Sequence, residues 1–267
     1  MYLQHFGLTH APLGKDCKAL CDSQSLANFE KQFRWLLTSP GLGLSTAEPG
    51  LGKTAALRKM TRDLNPHQYL VHYIAETDFG RLDFYRQMAH SFGLHPSYRR
   101  MDLWRNIKEH ITQLATQKNI LPILIIDEAQ NLSFEFLRDF PSFLNFVFDS
   151  KNYITVWLAG HTELARTLDR HHNAALSSRI QGRCTLQPIN DREEYKRFLL
   201  HGLAESGCNS TLLSDTGIDL LRMASKGNPR QTHHILVAAL QLATDQKLNH
   251  LPDDILDKAI EVLQGKK

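Results

Sequence analysis

The sequence predicts an α/β domain built on parallel strands, residues 1–188, followed by a smaller all-helical domain, residues 189–267. Two apolar runs carry the first part of this prediction: residues 42–47 lead into a glycine-rich turn, and Leu121–Ile126 ends in two adjacent acids. Short apolar runs of this kind are typical of strands buried on both faces. From Asn190 onward the apolar residues keep helical spacing, which indicates a change of architecture.

Length and composition are those of a globular protein. The 267 residues, 42% of them hydrophobic and 22% charged, suffice for one α/β domain with a smaller appendage. The net charge of +3 permits a nucleic-acid partner without arguing for one. No apolar run approaches the ~20 residues of a membrane span, and the first residues lack the pattern of a signal peptide. We therefore expect a cytoplasmic protein without a membrane partner.

The four cysteines do not form a convincing metal-binding set. Cys17 and Cys21 have no matching second pair, and Cys184 and Cys208 stand apart in the sequence. We expect free thiols in a reducing compartment.

The glycine-rich turn has the composition of a phosphate-binding loop. Glu48-Pro49-Gly50-Leu51-Gly52-Lys53-Thr54 is followed by Ala55 and a helical pattern. Glycines allow several backbone N–H groups to converge on phosphate oxygens, while Lys53 would reach the β and γ phosphates and Thr54 would ligate Mg²⁺. The usual pattern opens with a glycine where this sequence has Ala47. A chance Gly-Lys-Thr in a loop is the alternative interpretation of these residues alone.

The second apolar run delivers two carboxylates to the end of a buried strand. Asp127 and Glu128 follow Leu121–Ile126 directly, and two acids in that position are costly without a cation. Asp127 would hold the Mg²⁺ shell, and Glu128 would polarise the attacking water. Together the two motifs predict binding and hydrolysis of a nucleoside triphosphate.

Elements of the first domain follow from hydrophobic periodicity and from the positions of Gly and Pro. An irregular arm precedes them. Ser133 is a plausible cap for the helix that follows the acids, and Pro141 is expected to kink or break that helix. The predicted helices span residues 23–37, 54–64, 81–92, 102–117, 134–148 and 163–169, and the further strands span residues 69–75, 153–159 and 184–187.

Two further features of this domain carry chemistry. Arg99, Arg100, Arg105 and Lys108 gather near the start of the helix at 102–117, where they form either a nucleic-acid contact or a solvated basic face. His161 follows the strand at 153–159, so a polar side chain lies at the same sheet edge as Asp127.

The second domain is a small helical lid. Asp191 and Ser214 are expected N-caps, and Gly227-Asn228-Pro229-Arg230 opens a further helix. The predicted helices span residues 192–205, 214–224, 229–245 and 255–263.

This order of elements resembles the AAA+ ATPases, and within them the ExeA and TnsC/TniB/MuB-like group that includes helper ATPases of transposable elements. The resemblance covers nearly the whole chain. It is carried by Phe6-Gly7-Leu8 with Pro12, EPGLGKT at 48–54, IIDEAQNL at 125–132, LAGHTEL at 158–164, SRIQGR at 178–183 and GNPR at 227–230.

The resemblance implies a five-stranded parallel sheet with ATP and Mg²⁺ at its carboxyl edge. His161 matches the first sensor, although a small polar residue is more usual there. Arg179 matches the finger that reaches a neighbouring subunit's γ-phosphate, with Arg183 as the alternative, and Arg230 matches the lid's sensor. ATPase activity would then be slow unless the chain assembles.

The relatives also imply a function. Their ATP-bound subunits form rings or helical filaments on double-stranded DNA without sequence specificity, and the assembly recruits a DDE transposase, together with a targeting protein in some systems. Hydrolysis dismantles it. The basic residues at 99–108 fall where such relatives contact DNA.

Three alternatives stay open. The first is a secretion or envelope-assembly ATPase of the ExeA kind, which carries a membrane segment and a wall-binding region that we do not expect here. The second is a nucleotide-dependent signalling or defence switch. The third is a replication loader, which commonly has a winged-helix domain after the lid.

Overall fold

The computed structural model describes residues 2–15, 23–208 and 211–265. Contacts divide the chain into two compact units. The sheet unit comprises Ser25–Glu48 and Met60–Leu186, and the helical unit comprises Met1–Gln24, Pro49–Lys59 and Gln187–Lys267. This division differs from the domains at 1–188 and 189–267, which stay a prediction.

The sheet unit is built on five parallel strands. They are Leu42–Thr46 (β1), Tyr69–Ile74 (β2), Leu121–Ile126 (β3), Thr155–Gly160 (β4) and Ile180–Thr185 (β5). Their order in the sheet is β2-β3-β4-β1-β5, which confirms the predicted α/β class. Every residue of β1 and β4 is buried, as expected for strands that are covered on both faces.

Parallel register brings the residues after β1, β3 and β4 to one edge of the sheet. Thr46 at the end of β1 pairs with Gly160 at the end of β4, and Ile126 at the end of β3 pairs with Leu158. The next residues in the chain therefore leave the sheet at its carboxyl edge, which is where ligands bind in open α/β sheets.

Helices flank this sheet and cover it with aromatic side chains. Phe29 and Phe33 lie one turn apart on α2 and pack on Trp157 of β4, with ring centroids 5.0 and 5.7 Å away. The helices are Gln24–Thr38 (α2), Lys53–Arg62 (α3), Arg81–Ser91 (α4), Arg100–Gln117 (α5), Phe134–Phe143 (α6), Thr162–Leu168 (α7) and Ala174–Ser177 (α8). α3 begins in the helical unit and ends in the sheet unit.

Two predicted boundaries differ from the structure by four residues or more. α6 ends at Phe143, not near residue 148: it stops just after Pro141, where a kink or break is expected, and Val147–Asp149 adopt left-handed backbone conformations. β5 begins at Ile180, four residues earlier than predicted. Its polar residues are exposed on alternate positions of an edge strand, so the segment lacks the apolar run of an inner strand.

The helical unit has its own apolar core, which includes Leu8 of the N-terminal arm. Asp191 accepts a hydrogen bond from the backbone N–H of Glu194, and Ser214 accepts one from Gly217, so both predicted caps are confirmed. The helices are Tyr2–His5 (α1), Arg192–Glu205 (α9), Asp215–Ser225 (α10), Pro229–Asp245 (α11) and Asp253–Gln264 (α12).

Two expectations concern single features of the chain. Cys184 is a buried free thiol and Cys208 is also buried, whereas Cys17 and Cys21 lie outside the described residues. Among the helices that the structure describes, none is long and apolar enough to span a membrane.

Candidate functional site

The predicted phosphate loop makes a tight turn into α3. Gly50 and Gly52 have φ angles of +85° and +89°, a region that side-chain-bearing residues rarely adopt. The Gly52 carbonyl accepts from the backbone N–H of Ala56 at 2.8 Å, so the loop is continuous with the first turn of the helix. Lys53 is the first residue of α3 and is only 7% exposed.

The loop backbone is held by the start of α11. Asn228 Nδ2 donates to the Pro49 carbonyl at 2.8 Å, and the Arg230 N–H donates to the Gly50 carbonyl at 3.3 Å. A Cβ at Gly50 would lie 2.7 Å from Asn228 Oδ1, so this approach requires glycine. Asn228 Oδ1 also accepts from the N–H groups of Arg230 and Gln231. One side chain therefore caps α11 and anchors the loop.

The residue that opens the usual glycine pattern is alanine here, and its methyl group fits the sheet unit. Ala47 is fully buried, and its N–H donates to the Gly160 carbonyl at 3.2 Å. The next residue, Glu48, accepts a hydrogen bond from the Thr162 hydroxyl at the start of α7 (2.5 Å). The chain leaving β1 is thus tied to the chain leaving β4.

Asp127 is held by hydrogen bonds on both carboxylate oxygens. It follows β3 and is 2% exposed. Oδ1 accepts from the Glu128 N–H at 2.9 Å, and Oδ2 accepts from the Tyr73 hydroxyl at 2.9 Å. Tyr73 lies on β2, so the neighbouring strand fixes the orientation of this carboxylate.

Glu128 projects from a strained backbone position. Its φ and ψ angles of 51° and 35° are left-handed, and its carbonyl accepts from the Thr77 hydroxyl at 2.8 Å. Its Oε2 accepts from Gln130 Nε2 at 2.7 Å and lies 3.5 Å from His161 Nε2. The side chain is 44% exposed, so solvent reaches it.

The structure brings Asp127, Glu128 and His161 together at the carboxyl edge of the sheet. His161 follows β4 directly, and its backbone N–H donates to Gln130 Oε1 at 3.1 Å. We call Asp127, Glu128, Gln130 and His161 the carboxylate cluster.

Both candidate finger arginines have partners within this chain. Arg179 forms a two-point ion pair with Asp149 at 2.7 and 2.8 Å, and its hydrogen bond holds the pKa of the Asp149 carboxyl below the ordinary value. Arg183 lies in β5 and donates to Asp169 at 2.9 Å and to the Ser177 hydroxyl at 2.7 Å. The choice between the two arginines stays a prediction.

The four basic residues proposed for DNA contact lie in different environments. Arg99 is exposed, whereas Arg105 pairs with Asp102 at 2.7 Å. Lys108 Nζ lies 4.8 Å from the centroid of the Phe146 ring, and partial burial lowers its pKa. Arg100 and Arg81 both pair with Asp139. Two guanidinium groups share one carboxylate, so that part of the surface keeps a net positive charge.

Several residues of these arrangements have no role in the sequence analysis, among them Tyr73, Gln130, Asp149 and Asn228. Gln130 and Asn228 stand within quoted motifs, which is a local signal. Tyr73 and Asp149 meet partners that lie 54 and 30 residues away, and no local pattern in one sequence reports such a pairing.

The available donors suit Mg²⁺ better than a metal held by protein alone. Among residues 2–15, 23–208 and 211–265, no group of three or more His, Cys, Asp or Glu side chains is arranged to hold a metal ion. Mg²⁺ typically takes one or two carboxylates and keeps waters and substrate phosphates as its other ligands. A single oriented carboxylate such as that of Asp127 fits that chemistry.

Residues 37–168 match a family model described as "AAA domain". The five-stranded parallel sheet with flanking helices is the fold of solved AAA+ P-loop NTPases. Solved structures with this fold include Cdc6p from Pyrobaculum aerophilum, 16% identical with a TM-score of 0.67 over 96% of this chain and 70% of that chain. The Drosophila ORC bound to DNA is 15% identical, with a TM-score of 0.71 over 98% of this chain and 65% of that chain. The predicted fold class is therefore confirmed.

A curated relative is the general secretion pathway protein A of Aeromonas hydrophila. It is 28% identical over 249 residues, which are 90% of this chain and 44% of that protein. The chain thus spans less than half the length of this relative. The similarity agrees with the ExeA side of the predicted resemblance.

Proposed function

We propose that this protein binds Mg-ATP and hydrolyses it to ADP and phosphate. The observation that carries the proposal is the carboxylate cluster: an oriented, buried Asp127 and an accessible Glu128 at the end of an inner strand of an AAA+ fold. Hydrolysis requires a cation-binding carboxylate and a base for water. These two residues supply both groups.

Residues 49–55 bind the phosphates in this proposal. The backbone N–H groups of Gly50, Leu51, Gly52 and the following turn face the phosphate oxygens at a helix N-terminus. Pro49 has no N–H group and contributes to the shape of the loop. Lys53 neutralises the β and γ phosphates, and Arg230 at the start of α11 contacts the γ-phosphate. Thr54 and Asp127 hold Mg²⁺, which neutralises phosphate charge when it is bound.

Glu128 acts as the base for the attacking water. Its carboxylate takes a proton as the water oxygen bonds to the γ-phosphorus and the bond to the ADP oxygen breaks. His161, 3.5 Å from the same carboxylate, orients the water or the γ-phosphate. Arg179 of one chain stabilises the transition state at a neighbouring chain, so a ring or filament of this protein is the active form.

Two substitutions separate binding from chemistry. Glu128→Gln should keep ATP affinity but lower kcat by about 10²- to 10⁴-fold, the range for loss of a general base. Lys53→Ala should weaken ATP binding about 10- to 100-fold, because a hydrogen bond to a charged group contributes about 1.5–3 kcal/mol. Fluorescent-nucleotide binding and phosphate release measure the two effects.

The matched control is Lys258→Ala on α12, a cation whose partner is Asp254 one turn away. It should leave both quantities unchanged. Turnover by the Lys53 and Glu128 variants at the wild-type rate would contradict the proposed ATPase site.

We further propose that ATP-bound chains assemble on double-stranded DNA and recruit a DDE transposase, with hydrolysis dismantling the assembly. The sequence resemblance to helper ATPases of transposable elements supports this proposal, as does the positive surface around Arg99 and Arg100. Such contacts reach phosphates rather than base edges, so binding would not depend on sequence.

Salt dependence tests the DNA contact. Replacing Arg99 and Arg100 by Ala should weaken binding to random-sequence duplex DNA and lower the slope of log K against log salt by about 1.8, because each phosphate contact contributes about 0.9. Arg34→Ala, which removes an exposed arginine paired with Glu30 on α2, is the control. An unchanged slope in the double variant would remove this surface from the DNA interface.

A second candidate function is a secretion or envelope-assembly ATPase. The 28% identity to a general secretion pathway protein favours it. The ATPase site would be the same, but duplex DNA would change neither turnover nor assembly.

A further inference from the structure

The amide of Gln130 connects the Glu128 carboxylate to the end of β4. Its Nε2 donates to Glu128 Oε2 at 2.7 Å, and its Oε1 accepts from the His161 backbone N–H at 3.1 Å. A backbone N–H can only donate, so the amide oxygen must face His161. The NH₂ group must then face Glu128, which requires that carboxylate to be an acceptor.

Gly160 makes room for this bridge. A Cβ at that position would lie 2.6 Å from Gln130 Oε1 and 2.8 Å from a methyl carbon of Leu164. The amide oxygen thus sits against the last residue of β4, where only a residue without a side chain leaves space for it. The glycine and the glutamine form one arrangement.

Two side-chain nitrogens approach the same oxygen of the Glu128 carboxylate. Gln130 Nε2 and His161 Nε2 both approach Oε2. Glu128 itself lies in a left-handed backbone conformation, and its side chain is 44% exposed. The hydrogen bond from Gln130 therefore restrains the direction of a carboxylate that solvent reaches.

We infer that Gln130 is a positioning residue for the general base of the proposed ATPase. It fixes the direction of the Glu128 side chain and makes that direction depend on the end of β4, where His161 lies. The inference rests on the proposed function, because it assigns Glu128 the role of base.

Two substitutions at Gln130 test this role. Gln130→Leu keeps the approximate volume and removes the donor; it should lower kcat about 10-fold, the effect of one hydrogen bond at the upper end of its usual net contribution. The KM for ATP and the affinity for a fluorescent ATP analogue should stay within about twofold, because residues 49–55 make the phosphate contacts.

The split between kcat and KM distinguishes positioning from a general structural role. A loss of positioning lowers kcat while the KM for ATP and the nucleotide affinity stay constant. Gln130→Glu also removes the amide donor and should lower kcat in the same way. A variant that was merely less well folded would lose nucleotide-binding capacity and turnover in proportion.

Gly160→Ala provides a perturbation that leaves Gln130 in the sequence. Its methyl group should displace the amide and reproduce the lower kcat at unchanged nucleotide affinity. Gln117→Ala, at an exposed glutamine in the last turn of α5, is the control and should match the wild type.

The outcomes separate this inference from the ATPase proposal. If Glu128→Gln is inactive while Gln130→Leu and Gln130→Glu keep the wild-type kcat, the positioning role is overturned and the ATPase stands. If wild-type turnover survives Glu128→Gln, the base assignment fails and the inference falls with it.

Discussion

The phosphate loop and the carboxylate cluster are held in different ways. The loop is held through backbone carbonyls of Pro49 and Gly50, by groups at the start of α11. In the cluster, Asp127 is held by the Tyr73 hydroxyl on β2, and Glu128 by the Gln130 amide. The difference suggests that the loop is coupled to the lid helices, whereas the cluster is coupled to neighbouring strands. Substitutions in the first region should change binding and those in the second should change turnover.

The largest expected effect is that of Arg179→Ala, which tests whether the phosphate loop and the carboxylate cluster of one chain suffice for turnover. Arg179→Ala should lower turnover of the assembled protein by about 10³-fold, the lower end for an arginine finger, and should leave ATP affinity nearly unchanged. Turnover at saturating protein concentration measures it.

Asp149→Ala is the matched control, since it removes the ion-pair partner and keeps the arginine. It should retain turnover, because the finger acts on a neighbour and not through Asp149. Equal losses in both variants would mean that the ion pair has a structural role, and the finger would move to Arg183.

A smaller effect is expected where α11 anchors the loop. Asn228→Ala removes the hydrogen bond to Pro49 and the cap of α11. ATP binding should weaken about 2- to 10-fold, given about 0.5–1.5 kcal/mol for a hydrogen bond, and kcat should change little. Ser214→Ala, the cap of α10, should lose comparable stability of about 1 kcal/mol without weaker ATP binding. Equal ATP affinities in the two variants would contradict the anchor.

The counterpart in the cluster is Tyr73→Phe. Removal of the hydroxyl that orients Asp127 should raise the Mg²⁺ concentration for half-maximal turnover about threefold, again from one hydrogen bond. A Mg²⁺ titration at saturating ATP measures the change. Tyr98→Phe, at a 91% exposed tyrosine, should show none. An unaltered titration for Tyr73→Phe would mean that the Asp127 carboxylate is oriented without it.

The smallest effect concerns stability of β2. Burial lowers the pKa of His72, and its hydrogen bond to the Ser91 carbonyl opposes this effect. The nearby His110, whose own pKa is also lowered by burial, lowers the pKa of His72 further. Protonation of His72 is therefore less favourable in the folded state than in the unfolded state. The free energy of unfolding is highest above the unfolded pKa of about 6.5 and falls as the pH drops below that value. His72→Gln should flatten this fall between pH 7.5 and 5.5 in urea unfolding, whereas His95→Gln at an exposed position should not. An unchanged slope for His72→Gln would assign the acid sensitivity elsewhere.

Much of the fold could be predicted because its inner strands have distinctive sequences. The apolar runs of β1 and β3 are followed at once by the glycine turn and by Asp127-Glu128, so pattern and chemistry agree there. The sequence places β5 too late, because an edge strand with exposed Gln181 and Arg183 lacks that pattern. It extends α6 too far, because the phenylalanines continue beyond the helix as Phe146 and Phe148.

The site residues divide in the same manner. Phosphate-loop and strand-end residues follow from local spacing, since their chemistry requires consecutive residues. The contacts that hold these residues in place do not follow from local spacing. Those of Tyr73 and Asn228 join segments that lie far apart in the chain. The role of Gln130 required knowledge of where the end of β4 lies.

If ATP turnover depends on assembly on DNA, a titration of the protein with and without DNA tests this dependence most directly. Phosphate release is measured against protein concentration, with and without random-sequence duplex DNA, with negative-stain images of the same samples. We expect turnover per chain to rise cooperatively with concentration, to rise further with DNA, and to coincide with ATP-dependent rings or filaments. Turnover per chain that is independent of concentration and DNA, with no assemblies, would contradict this dependence.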